Sequence, residues 1–156
     1  MENNNITVKV MSRLDATYYC SNPHEEEAVI ISISTPYINY EIAPYISQEN
    51  RVRDILELSF FDADEPDGLD VNNVAVANSD LMSYEDAEKI ADFVERSKQD
   101  LIIVHCDAGI SRSTAVAAAI LRHYTGNDDK IFDNDSYSPN IWVYSKVLKA
   151  FGEQIL

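Results

Sequence analysis

The sequence predicts an α/β fold in which a central, mostly parallel β-sheet is flanked by helices. Short apolar runs rich in β-branched residues alternate along the chain with segments of helical periodicity. The strand candidates carry few polar residues, which indicates strands buried on both faces, as in a parallel sheet. The chain has 156 residues, and 46% of them are apolar. This is enough for the core of one domain, predicted to span residues 1–156.

Four segments have the composition of strands. Residues 28–33 (AVIISI) are a nearly continuous β-branched run, and residues 101–104 (LIIV) are short and wholly apolar. The other two candidates are residues 6–10 (ITVKV) and 52–61 (VRDILELSFF). Residues 62–82 fit neither the strand period nor the helix period, and a loop of that length in a compact domain usually has a function or is mobile.

Two helices are predicted with both of their ends. Ser83 and Asp86 have the spacing of a capping box, with Asp where Glu or Gln is usual, and apolar residues then recur at helical spacing to near Lys98. After Arg112, the run STAVAAAILRHYT combines strong helix formers and ends before Gly126. The all-round apolar start of this run predicts a central, buried helix.

A third helix is predicted near the end of the chain. Ser138 and Pro139 have the residue types preferred at an N-cap and at a first helical position. The residues predicted to face the core are Ile141, Tyr144, Leu148 and Phe151.

The chain is strongly acidic. It has 27 Asp and Glu against 12 Lys and Arg, which gives a formal net charge of -15 and a pI near 4.3. Nucleic acids and anionic membranes are bound by clustered Lys and Arg, so this charge balance argues against both as partners. The sequence makes no prediction of the oligomeric state.

The features that govern location predict a cytoplasmic protein. The N-terminal residues MENNNITVKV contain no apolar segment that could direct export, and no apolar run approaches the ~20 residues of a membrane helix. The two cysteines, Cys20 and Cys106, are too few for a disulfide framework, so reduced thiols are expected.

Residues 105–113 (HCDAGISRS) lie between a predicted strand and the predicted buried helix. The five residues between Cys106 and Arg112 can wrap into a cradle whose backbone N–H groups converge on one anion at a helix N-terminus. Gly109 permits the backbone conformation of such a wrap. Arg112 can offer two parallel N–H donors to phosphate oxygens. The N–H groups predicted to bind phosphate are those of Asp107, Ala108, Gly109, Ile110, Ser111 and Arg112.

The same loop would also make a nucleophile. Cys106 is expected at its base, where the N–H groups and the helix dipole that hold phosphate favour a thiolate. Ser113 can hydrogen-bond the sulfur and help it leave from a phosphocysteine, and the ring of His105 is better suited to fixing the loop than to contacting substrate. Taken singly, Cys106 also fits a buried cysteine and Ser113 an N-cap. The nine residues together favour the catalytic interpretation.

The segment HCDAGISRS resembles the HCxAGxSRS signature of cysteine-dependent phosphatases of the dual-specificity type and departs from it at none of the fixed positions. The segments SFFDADEPDG, IVHCDAGISRSTA and SPNIWVYSKVL, with the helix from Ser83, are similar to the small bacterial predicted protein tyrosine phosphatases. The resemblance covers about residues 28–151. It implies a mostly parallel sheet flanked by helices, a phosphocysteine intermediate and no metal. It also suggests that Asn140 hydrogen-bonds the cradle, with a first-turn helix residue as the alternative.

The resemblance further implies a general acid. In that family an Asp on the loop after the strand that precedes the helix before the signature protonates the leaving oxygen. Here that strand ends at Phe61, so Asp62 occupies the matching position and Asp64 is the competitor. Either carboxylic acid could protonate the leaving oxygen and, as the carboxylate, activate the water that hydrolyses the phosphocysteine.

The sequence therefore predicts a cysteine-dependent phosphatase for phosphotyrosine, with phosphoserine and phosphothreonine as further candidates. Its partner would be a phosphorylated protein or a small phosphomonoester. The same chemistry also fits a non-protein phosphate, such as a nucleotide, a phosphoinositide or an RNA 5′ end, although Arg112 is the only basic residue of the cradle. A catalytically silent phosphate-binding module is a third alternative.

No cofactor and no metal site are predicted. His24 and His123 have no partners at metal-ligand spacing. Cys20 fits a small buried hydrophobic residue better than a partner that traps an oxidised Cys106.

Overall fold

The computed structural model of the chain describes residues 5–63 and 81–153. Within these ranges four strands form one sheet: β1 (Thr7–Met11), β2 (Ala28–Ser34), β3 (Val52–Ser59) and β4 (Leu101–His105). The strand order is β1-β4-β2-β3, and every neighbouring pair is parallel. The predicted strands are thus present, with bounds that differ by one or two residues.

Five helices accompany the sheet in the described ranges: α1 (Arg13–Cys20), α2 (Tyr84–Arg96), α3 (Arg112–Thr125), α4 (Asp129–Phe132) and α5 (Ile141–Ala150). The sequence predicted α2, α3 and α5 but missed α1 and the single turn of α4. None of the helices in these ranges is long and apolar enough to cross a membrane.

The sheet is covered on both faces. One core cluster joins α2, α3 and α5 to side chains of β2 and β4, among them Ile31 and Val104. The opposite cluster contains Cys20 of α1 together with Ile30 and Ile103 from the same two strands. Successive side chains of a strand point to opposite faces, so two covered faces require an unbroken apolar run. This explains why β2 and β4 read as continuous hydrophobic segments.

The carboxyl ends of the strands meet at one edge of the sheet. His105, the last residue of β4, is paired with Met11 of β1 on one side and Ser32 of β2 on the other. The chain that leaves β4, here called the cysteine loop (residues 106–111), therefore begins in the middle of this edge. In open parallel sheets ligands bind at the carboxyl ends of the strands.

The predicted ends of α2 and α3 are largely confirmed. Asp86 N donates to Ser83 Oγ over 3.0 Å, and Ser83 N donates to Asp86 Oδ2 over 3.3 Å, so both bonds of the capping box are present. The helix ends at Arg96, two residues before the predicted Lys98. Gly126 caps α3 with a φ of 77°, the left-handed conformation that a glycine adopts readily.

The prediction for the start of α5 is wrong. Ser138 and Pro139 precede the helix, and the N-cap is Asn140, whose side-chain oxygen accepts a hydrogen bond from Val143 N over 3.1 Å. The N–H groups of Ser138 and Asn140 donate to carbonyl groups of the cysteine loop over 2.9 and 3.0 Å. These long-range bonds place the helix start, and they override the local preference of the Ser-Pro pair.

The predicted inner face of α5 is right in part. Leu148 and Phe151 are buried, whereas Ile141 is 53% exposed. Val143 and Val147 are fully buried and complete the stripe. At 100° per residue, Ile141 lies about 200° around the helix axis from Val143, on the side away from the core.

Candidate active site

The cysteine loop surrounds the sulfur of Cys106. This side chain is buried, and its Sγ accepts a hydrogen bond from Gly109 N over 3.3 Å. The hydroxyl of Ser113, in the first turn of α3, lies 3.1 Å from the same sulfur. A backbone N–H and a hydroxyl therefore converge on Sγ, and both can stabilise negative charge there.

Arg112 begins α3, and its side chain is buried beside the cleft. Nη1 donates to the carbonyl of Phe60 over 2.8 Å, and Nη2 donates to Asp107 Oδ2 over 3.2 Å. Its Nε is buried and has no hydrogen-bond partner in the described structure. A buried N–H without an acceptor costs free energy, and an oxygen of an anionic ligand would satisfy it.

The carboxylate of Asp107 lies between two arginines. Its Oδ2 accepts hydrogen bonds from Thr35 Oγ1 over 2.7 Å and from Tyr40 OH over 3.0 Å, in addition to the one from Arg112. Its Oδ1 lies 3.6 Å from Nε of Arg13. Burial alone would raise the pKa of Asp107, but the hydrogen bonds and the charge of Arg112 lower this pKa below its usual value. The group is therefore a carboxylate at neutral pH.

His105 holds the main chain at the base of the loop. Its Nδ1 lies 3.0 Å from the carbonyl of Cys106, and its Nε2 lies 2.6 Å from Ser32 Oγ. A carbonyl can only accept, so Nδ1 carries the proton and Nε2 accepts from the serine hydroxyl. Burial lowers the pKa of His105 to about 4, so the ring is neutral at physiological pH. These two contacts join the ring to the backbone of Cys106 and to β2.

This buried ring predicts a pH dependence of stability. The pKa of His105 is about 4 in the folded chain and near 6.5 without the fold, so the unfolded chain takes up the proton first. The contribution of His105 to the free energy of unfolding is complete above pH 6.5, and it declines by up to ~1.4 kcal/mol per pH unit as the pH falls toward 4. Urea unfolding of wild type and His105→Asn at several pH values measures this contribution. The free energy of unfolding should fall more steeply with decreasing pH in wild type than in the variant. Parallel curves would contradict the assignment.

Gly109 is required where the cysteine loop passes the end of β1. Its φ is 74°, and a Cβ at this position would lie 2.8 Å from the carbonyl carbon of Met11 and 2.9 Å from Ser12 N. Both neighbours are backbone atoms that cannot rotate away. We expect Gly109→Ala to lower the free energy of unfolding by about 2 kcal/mol or more. Gly126→Ala is the matched control, because its φ is 77° but it has open space around it. An equal loss in both variants by urea unfolding would contradict the close approach.

Asp62 follows β3 and reaches the cysteine loop. Its Oδ1 accepts hydrogen bonds from Ser111 Oγ over 2.8 Å and from Asn140 Nδ2 over 2.9 Å. The same amide of Asn140 donates to the carbonyl of Ala63 over 3.1 Å. Asn140 therefore joins the segment after β3 to α5, and it contacts the loop through its backbone N–H. The competing candidate Asp64 lies outside the described residues.

Seven of the predicted site residues line one cleft of about 440 Å³ at the carboxyl edge of the sheet, whereas His105, Gly109 and Ser113 are not among its lining residues. Its polar lining includes Asp62, Cys106 and Arg112, and its apolar lining includes Ile38 and Phe61. The other lining residues are Thr35, Asp107, Ala108, Ile110, Ser111 and Ser138.

Three residues at the site were not singled out from the sequence: Arg13, Thr35 and Tyr40. All three reach Asp107 from segments far away in the chain, so no local motif includes them. One signal for α1 was available, because Ser12 and Asp15 have N-cap spacing and Asp15 N donates to Ser12 Oγ over 3.1 Å.

The second cysteine, Cys20, is buried in the core away from Cys106. Cys20 belongs to the cluster on the opposite face of the sheet from the cluster that contains Cys106. Burial raises the pKa of Cys20, which disfavours its reactive thiolate. Both facts fit the interpretation of Cys20 as a small hydrophobic residue.

Comparison with known proteins shows likeness at the level of structure. Family models give no match, and neither do the curated proteins. Human DUSP28 has a TM-score of 0.58 at 18% identity, covering 93% of this chain and 91% of that chain. PTPMT1 in complex with PI(5)P gives 0.52 at 14% identity, covering 97% and 94%. Tk-PTP in the active form gives 0.51 at 18% identity, covering 98% and 95%.

The fold is that of the dual-specificity phosphatases. It confirms the predicted α/β class with a parallel sheet flanked by helices. At these identities the likeness concerns the fold, so the chemistry has to be argued from the residues of the cleft. In the described ranges no group of three His, Cys, Asp or Glu side chains is arranged to hold a metal ion.

Proposed function

We propose that the protein is a phosphomonoester hydrolase that uses Cys106 as its nucleophile and acts on phosphotyrosine. The observation that carries the proposal is the combination of three groups in one cleft: a sulfur with two adjacent hydrogen-bond donors, the buried Nε of Arg112 and the carboxyl group of Asp62. The likeness of the fold to dual-specificity phosphatases supports it.

In the first step the Cys106 thiolate attacks phosphorus in line with the leaving oxygen. The S–P bond forms as the P–O bond breaks, and Asp62 transfers its proton to the departing oxygen. Arg112 and the N–H groups of the cysteine loop bind the equatorial oxygens, where charge is spread in the transition state. The catalysis is mostly positioning and electrostatic stabilisation.

In the second step water hydrolyses the phosphocysteine. The Asp62 carboxylate takes a proton from the attacking water, a P–O bond forms, and the S–P bond breaks to release inorganic phosphate. The Ser113 hydroxyl donates to Sγ as the thiolate departs. Asp62 thereby returns to its acid form, and the thiolate is regenerated.

The hydrogen bonds of Asp62 favour one of its two oxygens as the proton donor. Oδ1 already accepts from Ser111 and Asn140, so the proposed acid form carries its proton on Oδ2. Ser111 and Asn140 thus orient the carboxyl group with one defined donor oxygen.

The choice of phosphotyrosine rests on the walls of the cleft. Ile38, Phe61 and Ile110 line it, and the ring of Tyr37 lies 6.2 Å from that of Phe61. An aromatic ring attached to phosphate would bury apolar surface against these side chains, which a serine phosphate lacks.

The charge of the cleft disfavours substrates with several phosphates. Among the described residues that line it, Arg112 is the single cation, whereas Asp62 and Asp107 are acidic. PTPMT1 has been crystallised with PI(5)P, so a phosphoinositide is the alternative to test. In an acidic cleft its additional phosphate would be repelled.

A substrate panel tests the proposal. The panel contains p-nitrophenyl phosphate, one peptide phosphorylated on tyrosine, serine or threonine at the same position, and short-chain PI(5)P. We expect kcat/KM for the phosphotyrosine peptide to exceed that for the phosphoserine peptide by at least about tenfold, ~1.4 kcal/mol of transition-state binding. A higher kcat/KM for PI(5)P would favour the non-protein substrate. Phosphate binding without turnover of any compound would favour a silent binding module.

A variant of the cleft wall sharpens this test. Ile38 lines the cleft and is 52% exposed, so Ile38→Ala should not disturb the core. We expect it to lower kcat/KM for the phosphotyrosine peptide more than for the phosphoserine peptide. A uniform loss across the panel would contradict the role of the apolar wall.

A further inference from the structure

Arg13 is a buried arginine that the proposed reaction does not use. It is the first residue of α1, and only 8% of its side chain is exposed. Its backbone N–H donates to the Asp107 carbonyl over 3.2 Å, and its Nε lies 3.6 Å from Asp107 Oδ1. Main chain and side chain of Arg13 therefore both engage the cysteine loop at Asp107.

Further contacts hold the guanidinium in place. Nη2 donates to Ser34 Oγ over 2.6 Å, and Nη1 donates to the carbonyl of Ile42 over 3.2 Å. Its central carbon lies 3.6 Å from the ring centre of Tyr40, a distance at which a cation is attracted by the ring. The Tyr40 hydroxyl donates in turn to Asp107. Arg13 is thus held next to Oδ1 of Asp107, whereas Arg112 contacts Oδ2.

Asp107 poses an electrostatic problem for a site that binds a phosphate dianion. Its carboxylate lines the cleft, and like charges at close range repel. Asp107 also accepts a hydrogen bond from Nη2 of Arg112, so its carboxylate competes with phosphate for that donor. A second cation beside Asp107 weakens both effects, because the carboxylate then divides its charge between two arginines.

We propose that Arg13 is a positioning residue for phosphate binding that acts through Asp107. It neutralises and holds the Asp107 carboxylate, and this leaves Arg112 available to the phosphate oxygens. The inference rests on the proposed function and extends it to a residue outside the signature motif. Arg13 does not line the cleft in the described structure, so its effect is indirect.

A double-mutant cycle between Arg13 and Asp107 tests this coupling. The variants are Arg13→Met, which keeps much of the apolar stem, Asp107→Asn, which removes the negative charge, and the double variant. The readouts are the inhibition constant of orthovanadate and kcat/KM for p-nitrophenyl phosphate. We expect Arg13→Met to weaken vanadate binding at least about tenfold in the wild-type background and less than about threefold in the Asp107→Asn background.

Two further variants complete the test: one separates charge from shape at Arg13, and the other is a control. Arg13→Lys keeps the positive charge but loses the planar fork, so it should retain vanadate binding within about threefold of wild type. Arg53→Met is the matched control, because Arg53 pairs with Glu27 at the opposite end of the sheet from the cleft. It should leave both readouts unchanged.

The outcomes separate three possibilities. An equal loss from Arg13→Met in both backgrounds would overturn the proposal and leave Arg13 with a purely structural role. If Arg13→Met does not fold, the double variant is compared with Asp107→Asn alone. A tenfold difference in the inhibition constant of orthovanadate between these two proteins would overturn the coupling. A wild-type protein that binds vanadate but hydrolyses no phosphomonoester would instead contradict the proposed function, and the vanadate cycle would still report on Arg13.

Discussion

Replacing Cys106 with serine is expected to abolish hydrolysis while anion binding persists. The substitution removes the thiolate that forms the covalent intermediate, so kcat for p-nitrophenyl phosphate should fall at least about 1,000-fold. Arg112 and the backbone of the cysteine loop are unchanged, so the dissociation constant for inorganic phosphate should stay within a few-fold of wild type. Steady-state kinetics and calorimetric phosphate titration measure the two quantities.

Cys20→Ser provides the matched control for this prediction. It makes the same chemical change at a buried cysteine on the opposite face of the sheet. Its activity per folded molecule should equal that of wild type, even if the buried hydroxyl lowers stability. Wild-type turnover by the Cys106→Ser protein would show that the sulfur is not the nucleophile.

Replacing Asp62 with asparagine is expected to give the second large effect. A general acid contributes about 10²–10⁴-fold, and the contribution is largest when the leaving group is a poor one. We therefore expect kcat for an alkyl phosphate to fall at least about 100-fold, with a smaller loss for p-nitrophenyl phosphate, whose leaving oxygen needs less protonation. The basic limb of the pH–rate profile should disappear, because that limb reports loss of the acid's proton.

The comparison variant is Asp64→Asn. Asp62 is held by Ser111 and Asn140 at the edge of the cleft, which favours it as the acid. The Asp64→Asn protein should keep the basic limb and a near wild-type kcat for the alkyl phosphate. The opposite pattern, with the limb lost only in Asp64→Asn, would assign the acid to Asp64.

The sequence predicted the part of the site that is local in the chain. Residues 105–113 lie together at the end of β4, so a buried strand, a loop and a helix could be predicted from one short segment. The hydrogen bonds of Cys106 to Gly109 and Ser113 lie within this segment. Such contacts depend on the chain's own turn and not on how distant elements pack.

The parts that the sequence did not predict depend on long-range packing. Arg13 and Tyr40 meet Asp107 only because β1 and β2 lie on either side of β4, and pairing of that kind leaves no periodic signal. Helix α1 was missed because its outward residues include Leu14 and Tyr18, which are 67% and 70% exposed. Its buried positions combine Arg13 with Ala16 and Cys20, so its polar and apolar residues are not separated onto two faces as in an ordinary surface helix.

The acidic character of the chain is compatible with phosphate binding of a restricted kind. A net charge of -15 argues against recognition by a broad basic surface. One phosphate can still be held by Arg112, a helix N-terminus and backbone N–H groups, because these donors act at short range inside a cleft. The side chains of Arg13 and Arg112 are buried and flank the half-buried Asp107 carboxylate, so this side of the site carries more positive than negative charge.

Trapping the phosphocysteine would identify the nucleophile without relying on loss of activity in a variant. The Ser113→Ala protein lacks the hydroxyl beside Sγ, so its phosphocysteine should break down slowly and accumulate. The measurement is acid quenching of this variant during turnover of ³²P-labelled aryl phosphate, followed by peptide mapping of the label. We expect label on the peptide that contains Cys106, formed at the rate of the initial burst of leaving group. Turnover with label found only in inorganic phosphate, or on a different residue, would contradict it.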